Sequence, residues 1–313
     1  MNYIGEHLWA AELGRGLTAF SFVFALLSTF AYYSKGEDWK TVGRLAFRLH
    51  AITLFGLIGT LFFIMANHYF EFDYVWKHTS LDLPPRYLFS AFWEGQEGSF
   101  LLWMFWNAIL GWVLTYTAKN FEGPVVGVFA AVQAFLVSMI LGIWIGDYQL
   151  GYSPFNLVRE LPENLGLPWT QFEDYLTRFP NFMDGSGLNP LLQNYWMTIH
   201  PPTLFLGFAS TLIPFSYAIA GLLRKDYTSW ISSALKWSVF SVGILGVGIL
   251  MGGAWAYEAL SFGGFWAWDP VENTSLVPWL TMAAGTHLLL IQRNKGGVMP
   301  SVLFLLIISF LLV

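Results

Sequence analysis

The chain has 313 residues, of which 56% are hydrophobic and 11% are charged, with a net charge of −5. So few charges cannot cover a water-soluble globule of this length, which excludes an ordinary soluble domain and favours a bilayer as the solvent. There is no cysteine, so the chain has neither a disulfide nor thiol chemistry of its own. The first apolar run follows glutamates rather than a basic stretch, unlike a secretory signal peptide.

Eight apolar runs are candidates for crossing a membrane. In chain order they are 16–33, 49–66, 99–118, 125–145, 202–223, 235–255, 275–291 and 300–313. We therefore predict an all-α integral membrane protein, a polytopic helical bundle with one transmembrane domain over residues 1–313. The final stretch, SVLFLLIISFLLV, reaches only about 20 Å at ~1.5 Å per residue, against a hydrocarbon core of ~30 Å. We expect the chain to be truncated in this eighth span and to be the N-terminal portion of a longer protein.

The loops between these runs alternate in charge, which predicts an orientation. Most of the 15 basic residues fall on one set of short loops, namely Lys35, Lys40, Arg44, Arg48, Lys119, Arg224, Lys225, Lys236, Arg293 and Lys295. The positive-inside rule places this set in the cytoplasm. The N-terminus and the segments 67–98, 146–201 and 256–274 are then outside, on a periplasm-like face.

Near the seventh span, the sequence GGFWAWDPVENTS (263–275) combines aromatic rings with acids. Asp269 can cap a helix, Pro270 can be its first residue and Glu272 its third, which is a capping box. This structural role is our first interpretation of the two carboxylates, and it does not exclude a second role.

The two tryptophans of this loop suggest a binding surface. Asp269 precedes a proline and should be extended, so Trp266 and Trp268 should point the same way. Gly263 and Gly264 let the backbone bend and approach a ligand closely. A flat aromatic shelf of this kind suits a planar, largely apolar ligand such as a porphyrin. The absence of lysine and arginine in the loop argues against nucleic acid or phosphate.

His200 lies in the sequence NPLLQNYWMTIHPP (189–202). Asn189 should cap a short helix over 190–199 that lies in the membrane interface, within the outer-face loop 146–201. Pro201 should then force His200 out of helical geometry, at a corner where the fifth span begins. The positive end of that helix favours a neutral, ligand-ready ring. A haem ligand and a residue with only a local hydrogen bond remain equal alternatives.

His287 lies inside the seventh span, where an ionisable side chain is a functional candidate. It could ligate haem, relay protons or hydrogen-bond to a neighbouring helix. A second ligand at this depth would be His50, or, as we favour, a residue beyond Val313. The remaining histidines, His7, His68 and His78, are expected to be solvated.

Two further features accompany these histidines. The sixth span has glycines that predict close helix packing or, alternatively, room for a macrocycle: Gly243, Gly246, Gly248, Gly252 and Gly253. The sequence FWEGQEGS (92–99) places Glu94 and Glu97 at the outer end of the third span. They could mark the interface, cap that helix, or line an outer cleft together with Trp196.

The loop over 262–275 resembles the WWD motif of haem-handling membrane proteins. The sequences NPLLQNYWMTIHPP, DPVENTSLVPWL (269–280) and FWEGQEGS make the chain similar, over its whole length, to the CcmF family. CcmF proteins are the cytochrome c haem lyase subunits of the system I maturation pathway, in a superfamily with CcsA and CcmC. The resemblance implies that haem is received at the aromatic loop by Trp255, Tyr257, Phe262, Gly263, Gly264, Phe265, Trp266, Trp268, Asp269 and Glu272. It also implies His200 as an axial ligand there, and His287 as a ligand of an intramembrane haem b that keeps the delivered iron reduced.

The same resemblance implies thioether formation between haem and the thiols of an apocytochrome c, with this chain as a subunit of a holocytochrome c synthase. The implied partners are the haem chaperone CcmE, apocytochrome c with its thiol-reducing CcmH-type protein, and membrane lipid, with no nucleic acid. The implied location is the bacterial inner membrane. Phe262 and Phe265 stand where the motif often has tryptophan, which removes an indole N–H donor for a haem propionate.

Three other functions stay open at this point. The first is another WWD protein, either a haem exporter or delivery subunit or the system II synthetase subunit; the HPP and VENTS segments favour the lyase. The second is a multispan transporter or proton channel with His287 as relay, although the spans carry few polar residues. The third is a structural membrane subunit that binds no haem.

Overall fold

The computed structural model describes residues 3–259 and 263–313, and its architecture in these ranges is helical. The helices are Leu8–Tyr33 (α1), Glu37–Ala66 (α2), Asp73–His78 (α3), Leu88–Glu94 (α4), Gln96–Thr117 (α5), Glu122–Ser138 (α6), Tyr175–Arg178 (α7), Tyr195–Arg224 (α8), Ile231–Ala259 (α9), Pro270–Asn294 (α10) and Met299–Leu311 (α11). Within the described ranges, α1, α2, α5, α6, α8, α9 and α10 are long and apolar enough to cross a membrane, and α11 is a shorter apolar helix. The predicted all-α membrane fold is confirmed.

The fourth span is shorter than the sequence predicted. It ends at Ser138, and the apolar residues that follow form an antiparallel hairpin of Ile143–Ile145 (β1) and Tyr148–Leu150 (β2). Gly142 and Gly146 have φ of 64° and 62°, a left-handed conformation that ends a helix and permits a tight turn. Continuous hydrophobicity through Ile145 therefore concealed a change from helix to strand.

The backbone divides into two compact units. The first contains the chain up to Phe22, Ile52–Leu102 and Phe135–Asn194. The second contains Val23–Ala51, Trp103–Ala134 and Tyr195–Val313. The histidines and tryptophans singled out around the aromatic loop all belong to the second unit, whereas Glu94 and Glu97 belong to the first.

In the first unit, polar contacts tie the N-terminal segment to the long segment after α6 and to the segment between α2 and α3. Arg159 donates two hydrogen bonds to Glu6, at 2.7 and 3.0 Å. His7 lies 2.7 Å from a carboxylate oxygen of the buried Glu71. His7, which was expected to be solvated, keeps 37% of its side chain exposed and also supplies the hydrogen-bonding partner that the buried Glu71 requires.

The predicted interfacial helix over 190–199 is replaced by a short turn and the start of a long helix. Pro190–Leu192 forms a single 3₁₀ turn, and the Asn189 side chain accepts a hydrogen bond from the Leu191 N–H, as a cap. The helix α8 then begins at Tyr195.

The helices of the second unit approach closely through glycine. A Cβ on Gly207 would lie 2.7 Å from the Leu245 Cα, and one on Gly248 would lie 2.9 Å from the Leu204 Cα. These contacts leave no room for a side chain between α8 and α9. Close packing, one of the two predicted roles of the glycine-rich span, is confirmed at Gly248.

Candidate functional site

His200 is a buried residue inside α8, not a residue at a corner before it. The predicted break at this position is wrong. Pro201 and Pro202 both lie within the helix, since transmembrane helices tolerate proline when neighbouring groups satisfy the freed backbone atoms. Packing against α9 also holds the imidazole ring in place.

The hydrogen bond of His200 determines which ring nitrogen is available. Nδ1 lies 3.0 Å from the Gly248 carbonyl oxygen, which can only accept, so Nδ1–H is the donor. The neutral ring then has its lone pair on Nε2. Metal-ligating histidines commonly have this arrangement, with the second nitrogen fixed by a backbone carbonyl.

Gly252 provides the space that this ring occupies. A Cβ at position 252 would lie 2.9 Å from His200 Cε1 and 3.3 Å from Nε2. The Trp255 ring lies one turn further along α9, with its centroid 5.7 Å from that of His200 and a tilt of 48°. The imidazole is therefore enclosed by the glycine-lined face of α9 and an indole.

Asp269 and Glu272 hold the aromatic loop in place. The Asp269 side chain accepts a hydrogen bond from the Glu272 N–H and caps α10, with Pro270 as its first residue, as predicted. The Glu272 carboxylate accepts from the N–H groups of Ala267 and Trp268, at 2.7 Å each. In a capping box, Glu272 would instead accept from the N–H of Asp269, the capping residue. Because Ala267 and Trp268 precede Asp269, Glu272 fixes the loop as well as the start of the helix.

The tryptophans do not form the predicted coplanar shelf. Trp268 has φ of 57°, so the segment is not extended at this residue. The rings of Trp266 and Trp268 meet edge to face, with centroids 5.7 Å apart and an interplanar angle of 82°. Phe265 instead stacks on Tyr257 at 5.1 Å. Phe262 lies outside the described residues.

Two cavities adjoin this loop. The larger, about 430 Å³, lies between α9 and α10 and is lined by Gly246, Ile249, Leu250, Trp266, Trp268, Leu276 and Trp279. The smaller, about 100 Å³, is lined by residues that include His200, Trp255, Asp269 and Glu272. Trp266 and Ile249 line both cavities and so separate them. The larger volume falls within the ~300–1,000 Å³ range of small-molecule sites, and the smaller one does not.

Two buried donors in this region have no partner. The indole N–H groups of Trp255 and Trp266 are buried and make no hydrogen bond to any part of the chain that the structure describes. Buried N–H groups without a partner are costly, so an acceptor supplied by a ligand would satisfy them. An apolar cavity, an imidazole lone pair and two free indole donors together fit a porphyrin that carries carboxylates and a metal.

Trp279 is a residue of this site that the sequence analysis missed. Trp279 lines the larger cavity and donates its indole N–H to the Val242 carbonyl oxygen at 2.9 Å. A Cβ on Gly246 would lie 2.9 Å from this indole nitrogen. Trp279 is in the PWL sequence noted above, but its contact with α9 is a tertiary contact that the sequence does not reveal.

His287 and its suggested partner His50 are not among the residues that line these two cavities. The His287 side chain is exposed on α10, and its Nδ1 is 2.8 Å from the Ala283 carbonyl oxygen. His50, its suggested partner, is completely buried in α2. Trp196 donates to Glu258 at 2.5 Å.

The two glutamates of the predicted cleft have roles within the first unit. Glu94 ends α4 and pairs with His78, which is therefore not the solvated residue that was expected. Glu97 lies in the first turn of α5, where a carboxylate complements the helix dipole. The grouping of these glutamates with Trp196 in one cleft stays a prediction.

Replacing Glu272 with alanine should loosen the aromatic loop. The change leaves the Ala267 and Trp268 N–H groups without their acceptor, and loss of such a cap costs about 0.5–2 kcal/mol. Hydrogen exchange of a peptide covering 263–270 should become faster. Glu258→Ala, which removes an exposed carboxylate outside this loop, is the matched control. Unchanged exchange in Glu272→Ala would contradict the bracing role.

The sequence has relatives with established names. The family model described as "Cytochrome C assembly protein" matches residues 93–313. The chain is 32% identical over 254 residues to cytochrome c-type biogenesis protein CcmF of Haemophilus influenzae, covering 80% of this chain and 36% of that protein. It is 32% identical over 308 residues to CcmF of Escherichia coli K12, covering 96% and 43%. Cytochrome c-type biogenesis protein NrfE of H. influenzae is 30% identical over 280 residues, covering 89% and 40%.

The fold also has a solved counterpart. It matches the structure named "Cytochrome c Heme Lyase CcmF" with a TM-score of 0.78 and 24% identity, over 97% of this chain and 46% of that one. The chain thus spans less than half the length of these relatives. Because the family model covers more than half of the sequence, including α8, α9 and α10, the chain belongs to the cytochrome c assembly protein family.

Proposed function

We propose that this chain binds haem beside the aromatic loop and takes part in attaching it to apocytochrome c. The observation that carries the proposal is the His200 ring, whose Nδ1–H is engaged by the Gly248 carbonyl while Nε2 keeps its lone pair. Membership of the cytochrome c assembly family supports haem as the ligand. When bound, haem supplies the vinyl groups that accept the thiols of the apocytochrome as thioethers.

Different residues of the site would contact different parts of the haem. Trp266, Trp268 and Trp279 offer apolar ring surface in the larger cavity. The free indole N–H groups of Trp255 and Trp266 can donate to carboxylates, and His200 Nε2 can ligate iron. Because Trp266 separates the cavities, a ligand that reaches both the larger cavity and His200 requires this ring to turn aside. In this proposal the chain acts by holding the haem in a fixed position for the reaction with the apocytochrome.

The two glycines of the loop contribute to this proposal through their backbone conformation. Gly263 adopts φ of 68°, and Gly264 follows it before Phe265. Phe265 and Tyr257 form a stacked pair at the edge of the site. Phe262 belongs to the proposed haem-binding loop by sequence alone.

We assign His287 to a second, intramembrane haem b. Its Nδ1–H donates to the Ala283 carbonyl, so this ring too keeps its lone pair on Nε2, and its side chain is exposed on the helix surface. An exposed imidazole inside a span is costly unless another group covers it. The relatives extend beyond the segment that matches this chain. The second ligand would come from a part that corresponds to this additional length.

The proposed setting is the bacterial inner membrane, with the aromatic loop on the periplasmic face. The relatives are bacterial proteins named for cytochrome c biogenesis. The proposed partners are the haem chaperone CcmE, which would deliver haem, and apocytochrome c with its CcmH-type reducing protein. In this setting the chain would be a subunit of a holocytochrome c synthase.

The proposal is tested by absorption spectra of the detergent-purified full-length protein titrated with haem. We expect His200→Ala and His287→Ala each to lose part of the Soret absorbance, and the double variant to lose most of it. His68→Asn is the control, because asparagine tolerates the positive φ of 52° at that residue. If His200→Ala binds haem like the wild type, the assignment of the aromatic-loop site is wrong. If the wild type binds no haem, the proposed function is wrong.

A further inference from the structure

The hairpin after α6 exposes apolar side chains on both of its faces. Ile143 pairs with Leu150 and Ile145 with Tyr148. The exposed fractions are 57% for Trp144, 62% for Ile145 and 83% for Tyr148. A two-stranded ribbon is marginally stable in water by itself, so exposure of this kind indicates a surface that a non-aqueous medium covers.

The position of the hairpin in the chain identifies that medium. It begins shortly after Ser138, where the α6 span ends. The hairpin is therefore at the boundary between hydrocarbon and water. Tryptophan and tyrosine are enriched in this layer because their rings are amphipathic.

A cavity with a mixed lining lies beside the hairpin in the same unit. Its volume is about 440 Å³, and its polar lining residues include Arg15, Gln149, Asn156 and Glu160. Apolar residues such as Leu141, Trp144 and Leu161 line it as well, so the cavity offers both apolar surface and charged groups.

The charges in this cavity are a cation and an anion side by side. Arg15 donates to Glu160 and, at 3.1 Å, to the Phe155 carbonyl oxygen. The two side chains remain 40% and 33% exposed, so a ligand can reach both of them. Arg159 lies 3.9 Å from Glu160, but its guanidinium is engaged by Glu6.

We propose that this cavity binds the headgroup of an ethanolamine phospholipid while the hairpin inserts among the neighbouring lipids. The phosphate would meet Arg15, and the primary ammonium would meet Glu160. The paired opposite charges of the protein match the paired opposite charges of this headgroup, whereas an anionic headgroup would meet repulsion from Glu160. Trp144 belongs both to the cavity lining and to the exposed apolar hairpin, and it would contact the acyl chains of the bound lipid. The inference does not depend on haem binding.

The first test measures the depth of the hairpin. The chain contains no cysteine, so Tyr148→Cys and Leu165→Cys can each carry a single environment-sensitive fluorophore. Leu165 is 67% exposed in the same unit but outside the hairpin, which makes it the matched control. In nanodiscs, lipid-attached quenchers should reach the label at 148 and aqueous iodide should reach the label at 165. Iodide quenching at 148, or protection from both quenchers as under a partner protein, would overturn insertion into lipid.

The second test measures which lipid the cavity retains. Protein from nanodiscs of equal phosphatidylethanolamine and phosphatidylglycerol is partially delipidated, and the retained lipid is identified by native mass spectrometry. The wild type should retain the ethanolamine lipid several-fold over the glycerol lipid. Glu160→Gln should shift the preference towards the glycerol lipid, since Arg15 then acts alone. Glu163→Gln, in the same segment but exposed and outside the cavity lining, should behave as the wild type. Retained wild-type lipid with the bulk composition would overturn the headgroup site.

Discussion

Replacing Gly252 with leucine should weaken haem binding at the His200 site by about one to two orders of magnitude while the helical bundle remains folded. The first carbon of any side chain at 252 would lie 2.9 Å from His200 Cε1, closer than unbonded carbons approach. The ring cannot yield without losing its hydrogen bond to the Gly248 carbonyl. The rest of the leucine would fill the cavity of about 100 Å³ that both His200 and Gly252 line. Overpacking of this kind costs about 1–3 kcal/mol, which corresponds to roughly 5- to 150-fold weaker binding.

The measurement is a haem titration by Soret absorbance in a His287→Ala background, so that one site is observed. Gly243→Leu is the matched control, because a Cβ on Gly243 of the same helix meets nothing within 4 Å. Gly252→Ala adds the close contact without filling the cavity, and it should bind haem with intermediate affinity. Thermal unfolding monitored by circular dichroism separates a blocked site from a misfolded one. A folded Gly252→Leu variant with wild-type affinity would show that His200 is not at the haem.

The helices themselves could be predicted from the sequence, and their ends could be predicted less well. The apolar run that starts at 49 belongs to α2, which begins at Glu37. The additional turns of α2 begin with acidic residues, which complement the positive end of the helix dipole. Because this stretch is charged, the sequence pattern did not indicate a membrane span there. The first strand of the hairpin was missed for the opposite reason, because Ile143–Ile145 are as apolar as a span.

The caps of the site were predictable because they depend on neighbours in sequence. Asp269, Pro270 and Glu272 lie within one turn, and the structure has the predicted cap at Asp269. The environment of His200 was not predictable, because Gly248 and Gly252 are on another helix. Local rules indicated that Pro201 would break the helix, and packing between α8 and α9 prevailed over that preference.

Replacing Arg44 with methionine should destabilise the second unit by about 3–5 kcal/mol, the usual effect of leaving a buried charge without its partner. Glu122 is the first residue of α6 and is buried. Arg44 donates to its two carboxylate oxygens at 2.7 and 2.5 Å. The Tyr32 hydroxyl donates a third hydrogen bond at 3.0 Å, so this carboxylate joins α1, α2 and α6. The expected result is a lower midpoint of thermal or denaturant unfolding in detergent.

A double variant separates the charge from the packing at this position. Arg44→Met with Glu122→Leu removes both charges, and it should recover most of the lost stability, because an apolar pair of similar volume can replace a buried ion pair. Lys35→Met removes an exposed cation near the same helix ends, and its free energy of unfolding should stay within about 0.5 kcal/mol of the wild type. If the double variant is no more stable than Arg44→Met alone, the loss comes from packing of the arginine stem. Glu122 would then tolerate burial through the Tyr32 hydroxyl and its more distant neighbour Lys40, at 4.0 Å.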